Sequence, residues 1–396
     1  MDYQQIDLFS SVNPYYKLKG EYKLIELFGG IGSQYKSLKA LEKAQGDNKV
    51  FTIKHHKLCE WAYNSICMYN LIHIKDFTDY SIGKSKEELI ELVKGISVDY
   101  NQPLTMDQLK RKPLSWLQSA YNNIIATNNL IDISNVKGRD LDFNDKDQVI
   151  MSWSFPCQDL SLAGKMGGAD EDSGTRSSLL YQVIRLLRER ERENLPLPTI
   201  LFMENVSALI NQNNIHNMQK VEQQLASMGY TNFIQVLDTK DYGLPQHRER
   251  VFMISILGNY SYEFPVKLPL KYKLKDMLSK NVDEKYYLDE ETIKRISSWN
   301  AYEKPLENAI DTTRERERVI STITTHAGKD SSSMKLVKVI PNSIPIKNNT
   351  KNGYLLASEG DGVDISSRMH HHRGNVQKGK TQTIKTECEI GVVVRK

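Results

Sequence analysis

The chain has 396 residues, of which 39% are hydrophobic, and its 53 basic and 49 acidic side chains leave a net charge of +4. This length and composition are typical of a globular protein of two or three domains, and the charge is too small to indicate a polyanionic partner by itself. The four cysteines form no C-x-x-C pair, and the chain shows neither a signal peptide nor an apolar run of the roughly 18 residues that span a membrane, so we expect a cytoplasmic protein without disulfides or structural zinc.

The first 258 residues carry alternating strand and helix signals. An apolar run at residues 22–28 ends in Gly29-Gly30-Ile31-Gly32, and residues 33–44 follow with helical spacing, which predicts a strand, a glycine turn and a helix. Further strands are predicted at residues 50–53, 149–154, 199–203, 233–237 and 250–256, with helices at 177–191 and 215–228. This alternation is typical of a parallel, doubly wound α/β sheet.

Two parts of the chain depart from the alternation. Residues 70–129 form a charged, helix-prone insertion without recognisable chemistry. After residue 257 the sequence turns to short segments rich in Lys, Asn, Ser and Tyr, which predicts a second, smaller and irregular domain. The charged run at residues 185–192 is expected to be a solvated helix face, and the three histidines at 370–372 are expected to form a polar loop instead of a metal site.

The glycine turn is a candidate nucleotide site. Glycines between a strand and a helix let backbone amides and the helix N-terminus face a polar or anionic ligand group. The turn lacks the last glycine of G-x-G-x-x-G, so a tight turn without a ligand is an alternative. Beyond the second strand, Glu60 can accept from ribose hydroxyls and Trp61 can pack on an adenine ring. Asp140 precedes the strand that leads to Cys157, so its carboxylate is expected at the loop edge of the sheet, where it can accept from an adenine amino group.

A second candidate site combines a thiol, a carboxyl group and two guanidinium groups. Cys157 lies between a predicted buried strand and a polar, glycine-containing loop at residues 159–174, a place suited to a nucleophile, although a buried structural cysteine is the alternative. Glu204 ends another strand of the same predicted sheet, so that its carboxyl group can meet the thiol at one edge. Arg248 and Arg250 precede the next strand on one side of it, and each can face this site or form a surface ion pair.

Six motifs, in this order along the chain, resemble those of the DNA cytosine-5 methyltransferases. They are Phe28 to Gly32 (F-x-G-x-G), Glu60-Trp61, Pro156-Cys157-Gln158, Thr175-Arg176-Ser177, Glu204-Asn205-Val206 and Gln246 to Arg250 (Q-x-R-x-R). The resemblance covers roughly residues 20–258. It implies the Rossmann-like fold of S-adenosylmethionine-dependent methyltransferases, and transfer of a methyl group from S-adenosylmethionine to C5 of a cytosine that is flipped out of double-stranded DNA.

The resemblance also implies a role for each motif residue. Cys157 is expected to add to cytosine C6, Glu204 to hold or protonate N3, and Arg250 together with Arg248 to stabilise charge on the O2 side. The loop after Cys157 is expected to close over the base. The residues expected to hold the cofactor are Phe28, Gly30, Gly32, Glu60, Trp61, Asp140 and Pro156. No metal is expected.

The same resemblance divides the chain into functional regions. Residues 1–258 would form the catalytic domain, residues 259–380 a target recognition domain that reads base edges in the major groove, and residues 381–396 the start of a return segment that opens with the Thr-rich run 381–386. The C-terminal helix and the Gly-Asn-Ser segment that the family places after this run have no counterpart here, so we expect a second polypeptide to supply them.

Two other functions are compatible with parts of this pattern: a non-catalytic DNA-binding relic of such an enzyme, and an RNA cytosine methyltransferase of similar fold. The presence of Cys157, Glu204 and Arg250 together favours an enzyme, because a binding relic needs none of them. The separate recognition region favours duplex DNA over RNA.

Overall fold

The computed structural model describes residues 14–99, 102–156, 179–212 and 214–279, together with residues 283, 291–292, 294, 319–321, 343–347, 354–358, 362–364, 375–377 and 390–392. The chain divides into two compact units, Met1–Tyr272 and Lys273–Lys396. Several predicted features lie outside the described residues: Cys157, Gln158, the loop at 159–174, Thr175-Arg176-Ser177, the histidines at 370–372 and the Thr-rich run at 381–386. None of the helices in the described ranges is long and apolar enough to cross a membrane.

A central sheet organises the first unit. Its six strands are β1 (Gly20–Leu27), β2 (Phe51–Cys59), β3 (Gln148–Trp153), β4 (Ile200–Val206), β5 (Tyr230–Asp238) and β7 (Glu249–Leu257). A two-residue strand outside this sheet, β6 (Gln246–His247), precedes β7. The order in the sheet is β2-β1-β3-β4-β7-β5, and β1 to β4 pair in parallel. The predicted doubly wound, mostly parallel α/β sheet is thereby confirmed.

Helices cover the sheet and extend from its edge. They are α1 (Ser33–Ala44), α2 (Tyr63–Tyr69) with a π-helical turn at Asn70–Ile74, α3 (Lys86–Leu92), α4 (Met106–Lys110), α5 (Leu114–Ala126), α6 (Leu180–Arg192) and α7 (Ile215–Ser227). A short helix, α8 (Leu274–Met277), belongs to the second unit. The main core joins apolar side chains of β1, β3, β4 and β7 to those of α6 and α7, including Trp153, Leu186 and Val221. Burial of such side chains from both faces holds the strand ends in fixed register.

The helix-prone insertion at residues 70–129 folds into the short helices α3 to α5. Both α3 and α4 begin with a capping box, Ser85 with Glu88 and Thr105 with Gln108. The three helices share a second apolar core with α2, which includes Leu89, Leu109 and Leu117. The insertion therefore has a stable core of its own beside the carboxyl end of β2.

The direction of β7 differs from the prediction of a parallel strand at residues 250–256. β7 runs antiparallel to both β4 and β5. The linker at residues 239–248 contains only a 3₁₀ turn at Thr239–Asp241 and β6, whereas a parallel connection needs a crossover of about a dozen residues or more, usually a helix. As a consequence, the amino end of β7 lies beside the carboxyl end of β4, and Arg250 pairs with Val206.

The charged run at residues 185–192 is only partly the solvated face that its sequence predicts. Arg185 pairs with Glu189 at 2.6 Å on the outer side of α6, as the spacing indicates. Arg190, in contrast, is 1% exposed, stacks 3.6 Å from the centre of the Phe143 ring and donates to the carbonyl oxygens of Gly138 and Phe143, each at 2.9 Å. Burial lowers the pKa of Arg190 to about 10. Its role is structural, because three carbonyl groups and an aromatic face satisfy it.

The second unit contains short antiparallel strands. β9 (Ser343–Lys347) pairs with β10 (Tyr354–Ser358), and β11 (Gly362–Asp364) pairs with both β12 (Asn375–Gln377) and β13 (Ile390–Val392); β8 is Ile320–Ser321. These pairs contrast with the βα alternation before residue 257, as the sequence predicts. Residues 259–272 pack on the first unit, where Ser261 bridges Tyr15 and Leu268 bridges Tyr242, so the compact units divide after Tyr272 instead of residue 258.

Candidate active site

Three parallel strands end side by side in the first unit. Leu27 of β1 pairs with Trp153 of β3, and Trp153 pairs with Met203 of β4. The glycine turn, the segment that leads to Cys157, and Glu204 therefore follow neighbouring strand ends at one edge of the sheet. Loops at the carboxyl edge of an open parallel sheet are where such folds bind ligands.

The glycine turn after β1 has an unusual backbone. Phe28, Gly30 and Gly32 have φ angles of 56°, 55° and 81°. A positive φ is uncommon for a bulky residue such as Phe28 and marks a position that the surrounding structure must hold. A Cβ atom on Gly32 would lie 2.5 Å from His73 Nε2 and 2.7 Å from Tyr69 Cε2, so this position requires glycine for space as well as for conformation.

Glu60 is buried at the end of β2 and faces the glycine turn. Its Oε2 accepts from the backbone N–H of Gly30 at 2.9 Å, and its Oε1 accepts from that of Ala62 at 2.8 Å. Burial raises the pKa of Glu60, and the backbone hydrogen bonds partly offset this rise. The Asn129 side chain accepts from Glu60 N–H at 3.1 Å and donates to Glu60 O at 2.9 Å, and Trp61 follows, half-buried. Glu60 thus joins the ends of β1 and β2.

Asp140 is not at this edge of the sheet. It is exposed in the 3₁₀ turn Gly138–Leu141, and its Oδ2 accepts from the N–H of Lys137 at 2.8 Å. The carbonyl oxygens of the two residues that follow it, Leu141 and Asp142, lie 3.2 and 2.7 Å from Nε2 of His56, which is four residues before Glu60. Four residues of a strand span about 13 Å at roughly 3.3 Å per residue. The expectation that Asp140 lies at the loop edge of the sheet is therefore wrong, because the chain reaches that edge only at the end of β3.

Asp132 is an acidic residue beside Glu60 that the sequence reasoning missed. Asn129 forms a parallel bridge with Leu58, and Ile131, with a φ of 64°, turns the chain immediately afterwards. The Cys59 thiol, at the end of β2, contacts the carbonyl oxygen of Ile131 at 3.5 Å, which places Asp132, the next residue, near the end of that strand. The available sequence signal was a short apolar pair, residues 130–131, that ends in an acid.

A buried polar cluster supports the glycine turn from below. The carboxyl group of Glu26, two residues before Phe28, accepts from the Tyr69 hydroxyl, which lies 3.0 Å from His55 Nδ1. Burial raises the pKa of Glu26 to about 7, although the hydrogen bond from Tyr69 opposes the rise. His73, in the π-helical turn, places its Nε2 2.9 Å from the carbonyl oxygen of Ile31. α2 and its π-helical turn therefore brace the turn on which a ligand would rest.

Glu204 is the centre of the second group of predicted residues. Its Oε1 lies 2.9 Å from Arg250 Nε and 3.9 Å from an Nη atom of Arg248. Its Oε2 accepts from the Ser154 hydroxyl at 2.8 Å. The structure thus brings Glu204, Arg248 and Arg250 together, and it does so because β7 is antiparallel. Both arginines face the carboxyl group instead of forming surface pairs away from it.

The segment that leads to Cys157 is attached to the same strand end. The chain is described through Pro156, and Asn205 Nδ2 donates to the carbonyl oxygen of Phe155 at 3.1 Å. Ser154 N–H donates to Leu27 O at 3.4 Å. Since Pro156 directly precedes Cys157, these contacts fix where the segment that continues to Cys157 begins, next to Glu204 and Asn205.

Asp238 organises the arginine segment. It is buried at the end of β5, where its Oδ1 accepts from the N–H of Arg248 at 3.0 Å and its other oxygen is paired with Lys240 and His247. Burial opposes ionisation of this carboxyl group, but the hydrogen bonds from Lys240, Arg248 N–H and His247 prevail and lower its pKa to about 2. The chain before β7 is thereby held so that Arg248 and Arg250 face Glu204.

The family model described as C-5 cytosine-specific DNA methylase matches residues 108–386. The chain belongs to this family. It is 36% identical over 273 residues to the orphan methyltransferase M.SssI of Spiroplasma monobiae, with 67% of each chain covered. It is 33% identical over 270 residues to the type II methyltransferase M2.ScrFI of Lactococcus lactis subsp. cremoris, with 67% of this chain and 70% of that one covered. The solved methyltransferase EhMeth of Entamoeba histolytica shares the fold, with a TM-score of 0.50 and 17% identity over 83% of this chain and 79% of that one.

As a C-5 cytosine-specific DNA methylase, the protein transfers a methyl group from S-adenosylmethionine to C5 of cytosine in DNA, through the covalent cysteine adduct that is general for the family. The family that the sequence resembles, the enzymatic function and the cofactor are confirmed. The alternatives of a non-catalytic relic and of an RNA methyltransferase are not supported.

The residues at the ends of β1 and β2 fit S-adenosylmethionine. Each oxygen of the Glu60 carboxylate accepts one backbone N–H and retains a lone pair for a ribose hydroxyl. Among the described residues, the space beside Gly30 is open, since a Cβ atom placed there would have none of their atoms within 4 Å, and Ile31 is 52% exposed. A ligand can therefore approach the backbone of the turn closely.

Proposed function

We propose that Cys157, Glu204, Arg248 and Arg250 form the catalytic centre of this DNA cytosine-5 methyltransferase. The observation that carries the proposal is the contact of Glu204 with Arg250 at the end of β4, directly beside the segment that leads to Cys157. Cys157 itself lies outside the described residues, and its role rests on its place in Pro156-Cys157-Gln158.

Each of these residues has a distinct task. The Cys157 thiolate forms a bond to cytosine C6, the electron pair of the C5–C6 double bond shifts to C4–C5, and the electron pair of the C4–N3 double bond moves to N3, so that C5 becomes the nucleophilic carbon of an enamine. Glu204 holds N3 and donates a proton to it as negative charge develops there. Arg250 is fixed between Glu204 and the carbonyl oxygen of Glu249, which its Nη1 contacts at 2.7 Å, and with Arg248 it supplies positive charge on the O2 side. S-adenosylmethionine supplies the methyl group.

A mechanism-based trap tests the nucleophile. In DNA with 5-fluorocytosine, fluorine replaces the C5 proton whose loss would release the enzyme, so a covalent complex that depends on S-adenosylmethionine should accumulate. Peptide mapping by mass spectrometry should place the adduct on Cys157. Cys59, which is buried with a raised pKa, and Cys67, half-buried with a raised pKa, serve as internal controls and should stay unmodified. An adduct on another cysteine, or none with DNA of varied sequence, contradicts the proposal.

We further infer that the cofactor is held by Phe28, Gly30, Gly32, Glu60, Trp61 and Pro156, with Asp132 in the role that the sequence suggested for Asp140. Support comes from the position of Asp132 next to the end of β2, where its carboxylate accepts from Ser134 N–H at 3.0 Å and keeps further lone pairs for an adenine amino group.

A matched pair of variants separates the two aspartates. Asp132→Asn should weaken S-adenosylmethionine binding about tenfold, since one charge-assisted hydrogen bond contributes roughly 1.5 kcal/mol or more. Asp140→Asn, at an exposed turn, should change the dissociation constant less than about twofold. Isothermal titration calorimetry measures both. If Asp140→Asn weakens S-adenosylmethionine binding more than Asp132→Asn does, Asp140 is the residue that binds the adenine amino group.

The region from residue 259 to 380 is proposed to be the target recognition domain and residues 381–396 the start of the return segment. What supports this is that the family match runs on to residue 386, beyond the βα alternation. Exchange of residues 273–380 for the corresponding segment of a relative should change which cytosines are methylated, as bisulfite sequencing would report. The second polypeptide and the cytoplasmic location expected from the sequence stay predictions.

A further inference from the structure

Ser154 makes a contact with Glu204 that the six motifs do not include. It is the first residue after β3, and its backbone N–H donates to Leu27 O of β1. Its Oγ lies 2.8 Å from Oε2 of Glu204 and 3.0 Å from the backbone carbonyl oxygen of Glu204. Ser154 is therefore tied to β1 through its backbone and to β4 through its side chain, three residues before the nucleophile.

The partners of the Glu204 carboxyl group differ in what they can do. Arg250 and Arg248, its charged contacts among the described residues, have only N–H donors and keep their charge throughout. A serine hydroxyl both donates and accepts. Of these three partners, Ser154 alone can accept a hydrogen bond from Glu204 Oε2 when this oxygen carries a proton and can donate to it when it does not.

Two oxygens near Ser154 Oγ, Oε2 and the backbone carbonyl oxygen of Glu204, can accept its hydroxyl hydrogen, so the hydroxyl has an acceptor in each protonation state of the carboxyl group. When Glu204 is ionised, the hydroxyl hydrogen points to Oε2. When Oε2 carries a proton and no base is bound, Ser154 Oγ accepts that proton's hydrogen bond and turns its own hydrogen to the carbonyl oxygen at 3.0 Å. When cytosine is bound, the proton on Oε2 points to N3, and the Ser154 hydroxyl donates to Oε2 again. The change requires only rotation about the C–O bond, so the carboxyl group keeps its position while its charge changes.

We propose that Ser154 is a positioning residue for methyl transfer, which holds Oε2 of Glu204 in both protonation states of that carboxyl group. The inference rests on the proposed function, in which Glu204 exchanges a proton with cytosine N3. It goes beyond that function by naming a residue before the Pro-Cys-Gln motif that acts through Glu204 and does not touch the base.

The test measures kcat and KM for methyl transfer to DNA with tritiated S-adenosylmethionine. Ser154→Ala should lower kcat about tenfold or more, because a hydrogen bond to a charged group contributes roughly 1.5–3 kcal/mol, while KM for DNA and for S-adenosylmethionine stays within about twofold. Ser154→Thr keeps a hydroxyl group and should recover most of the loss. Ser152→Ala, a buried serine two residues earlier in β3, is the matched control and should keep kcat.

A double-mutant cycle separates this inference from the proposed function. Because Ser154 acts through Glu204, adding Ser154→Ala to Glu204→Gln should lower kcat less than about twofold further. If Glu204→Gln alone retains full activity, the proposed function fails. Two other results would overturn only the role of Ser154, provided that Glu204→Gln itself lowers kcat. One is that Ser154→Ala has the same kcat as Ser152→Ala, and the other is that Ser154→Ala lowers kcat by the same factor with Glu204→Gln as without it.

Folding is checked by the dissociation constant for S-adenosylmethionine and by the thermal midpoint, both of which should match those of the unmodified protein. Should Ser154→Ala not fold, Ser154→Gly, which also lacks the hydroxyl, replaces it with the same expected loss. A loss of kcat that Ser154→Thr does not recover at all would point to a packing effect and contradict the proposal.

Discussion

Glutamine in place of Glu204 is expected to lower kcat for DNA methylation by a factor of about 10²–10⁴, the usual contribution of a positioned general acid or base. The amide keeps the size of the side chain: its oxygen can still accept from Arg250, and its NH2 group can donate to Ser154 Oγ, the two groups that contact the carboxyl oxygens at 2.9 and 2.8 Å. It cannot give a proton to cytosine N3. The loss should therefore appear in kcat, measured in single turnovers, with little change in S-adenosylmethionine affinity.

Glu222→Gln is the control for this substitution. Glu222 is half-buried in α7, where burial raises its pKa, and it has no place in the proposed site, so kcat should stay within about twofold. A Glu204→Gln enzyme that keeps more than about a tenth of the original kcat would remove Glu204 from proton transfer and leave it at most a role in holding the base.

Alanine in place of Gly32 is expected to weaken S-adenosylmethionine binding about 100-fold. The added Cβ would lie 2.5 Å from His73 Nε2 and 2.7 Å from Tyr69 Cε2, and neither ring can move freely, since His73 contacts Ile31 O and Tyr69 binds the buried Glu26. The φ angle of 81° adds a backbone cost of about 1–2 kcal/mol for any residue with a side chain. Overpacking contributes typically 1–3 kcal/mol more, so the turn must shift away from its cofactor-binding conformation.

Gly46→Ala isolates the conformational part of this effect. Gly46 has a φ of 65° just after α1, but a Cβ atom there has no neighbour within 4 Å. This variant should lose about 1 kcal/mol of unfolding free energy and keep its S-adenosylmethionine affinity. Calorimetric titration of both variants gives the comparison. Equal affinities for the two would mean that the glycine turn does not hold the cofactor.

Much of the site was predictable because its signals are local. The strand, glycine turn and helix at residues 20–44 follow from hydrophobic periodicity and from the backbone freedom of glycine, and the structure has them with ends shifted by a few residues. Glu204 was predicted at a strand end for the same reason, because it directly follows the apolar run at residues 200–203. Glu60 was predicted only beyond a strand at residues 50–53, and the structure extends that strand to Cys59. The spacing of apolar residues and the presence of glycine at a turn depend only on residues that are close together in the chain, so a single sequence shows them directly.

Other features depended on which strands become neighbours. Asp140 was assigned to the wrong edge, whereas Asp132 reaches the end of β2 only through the bridge of Asn129 with Leu58. Arg190 looks like its solvated neighbours in the sequence, and only the approach of Phe143 and Gly138, about fifty residues away, buries it.

By itself, then, the sequence determined the family, the order of the motifs and the strand ends at which Glu60 and Glu204 lie. The tertiary structure alone decided that β7 is antiparallel, so that Arg250 meets Glu204, and that Ser154 bonds to the same carboxyl group from β3. The physical reason is that strand order and direction result from many weak packing contacts and from the length of each connection, which act between residues far apart in the chain.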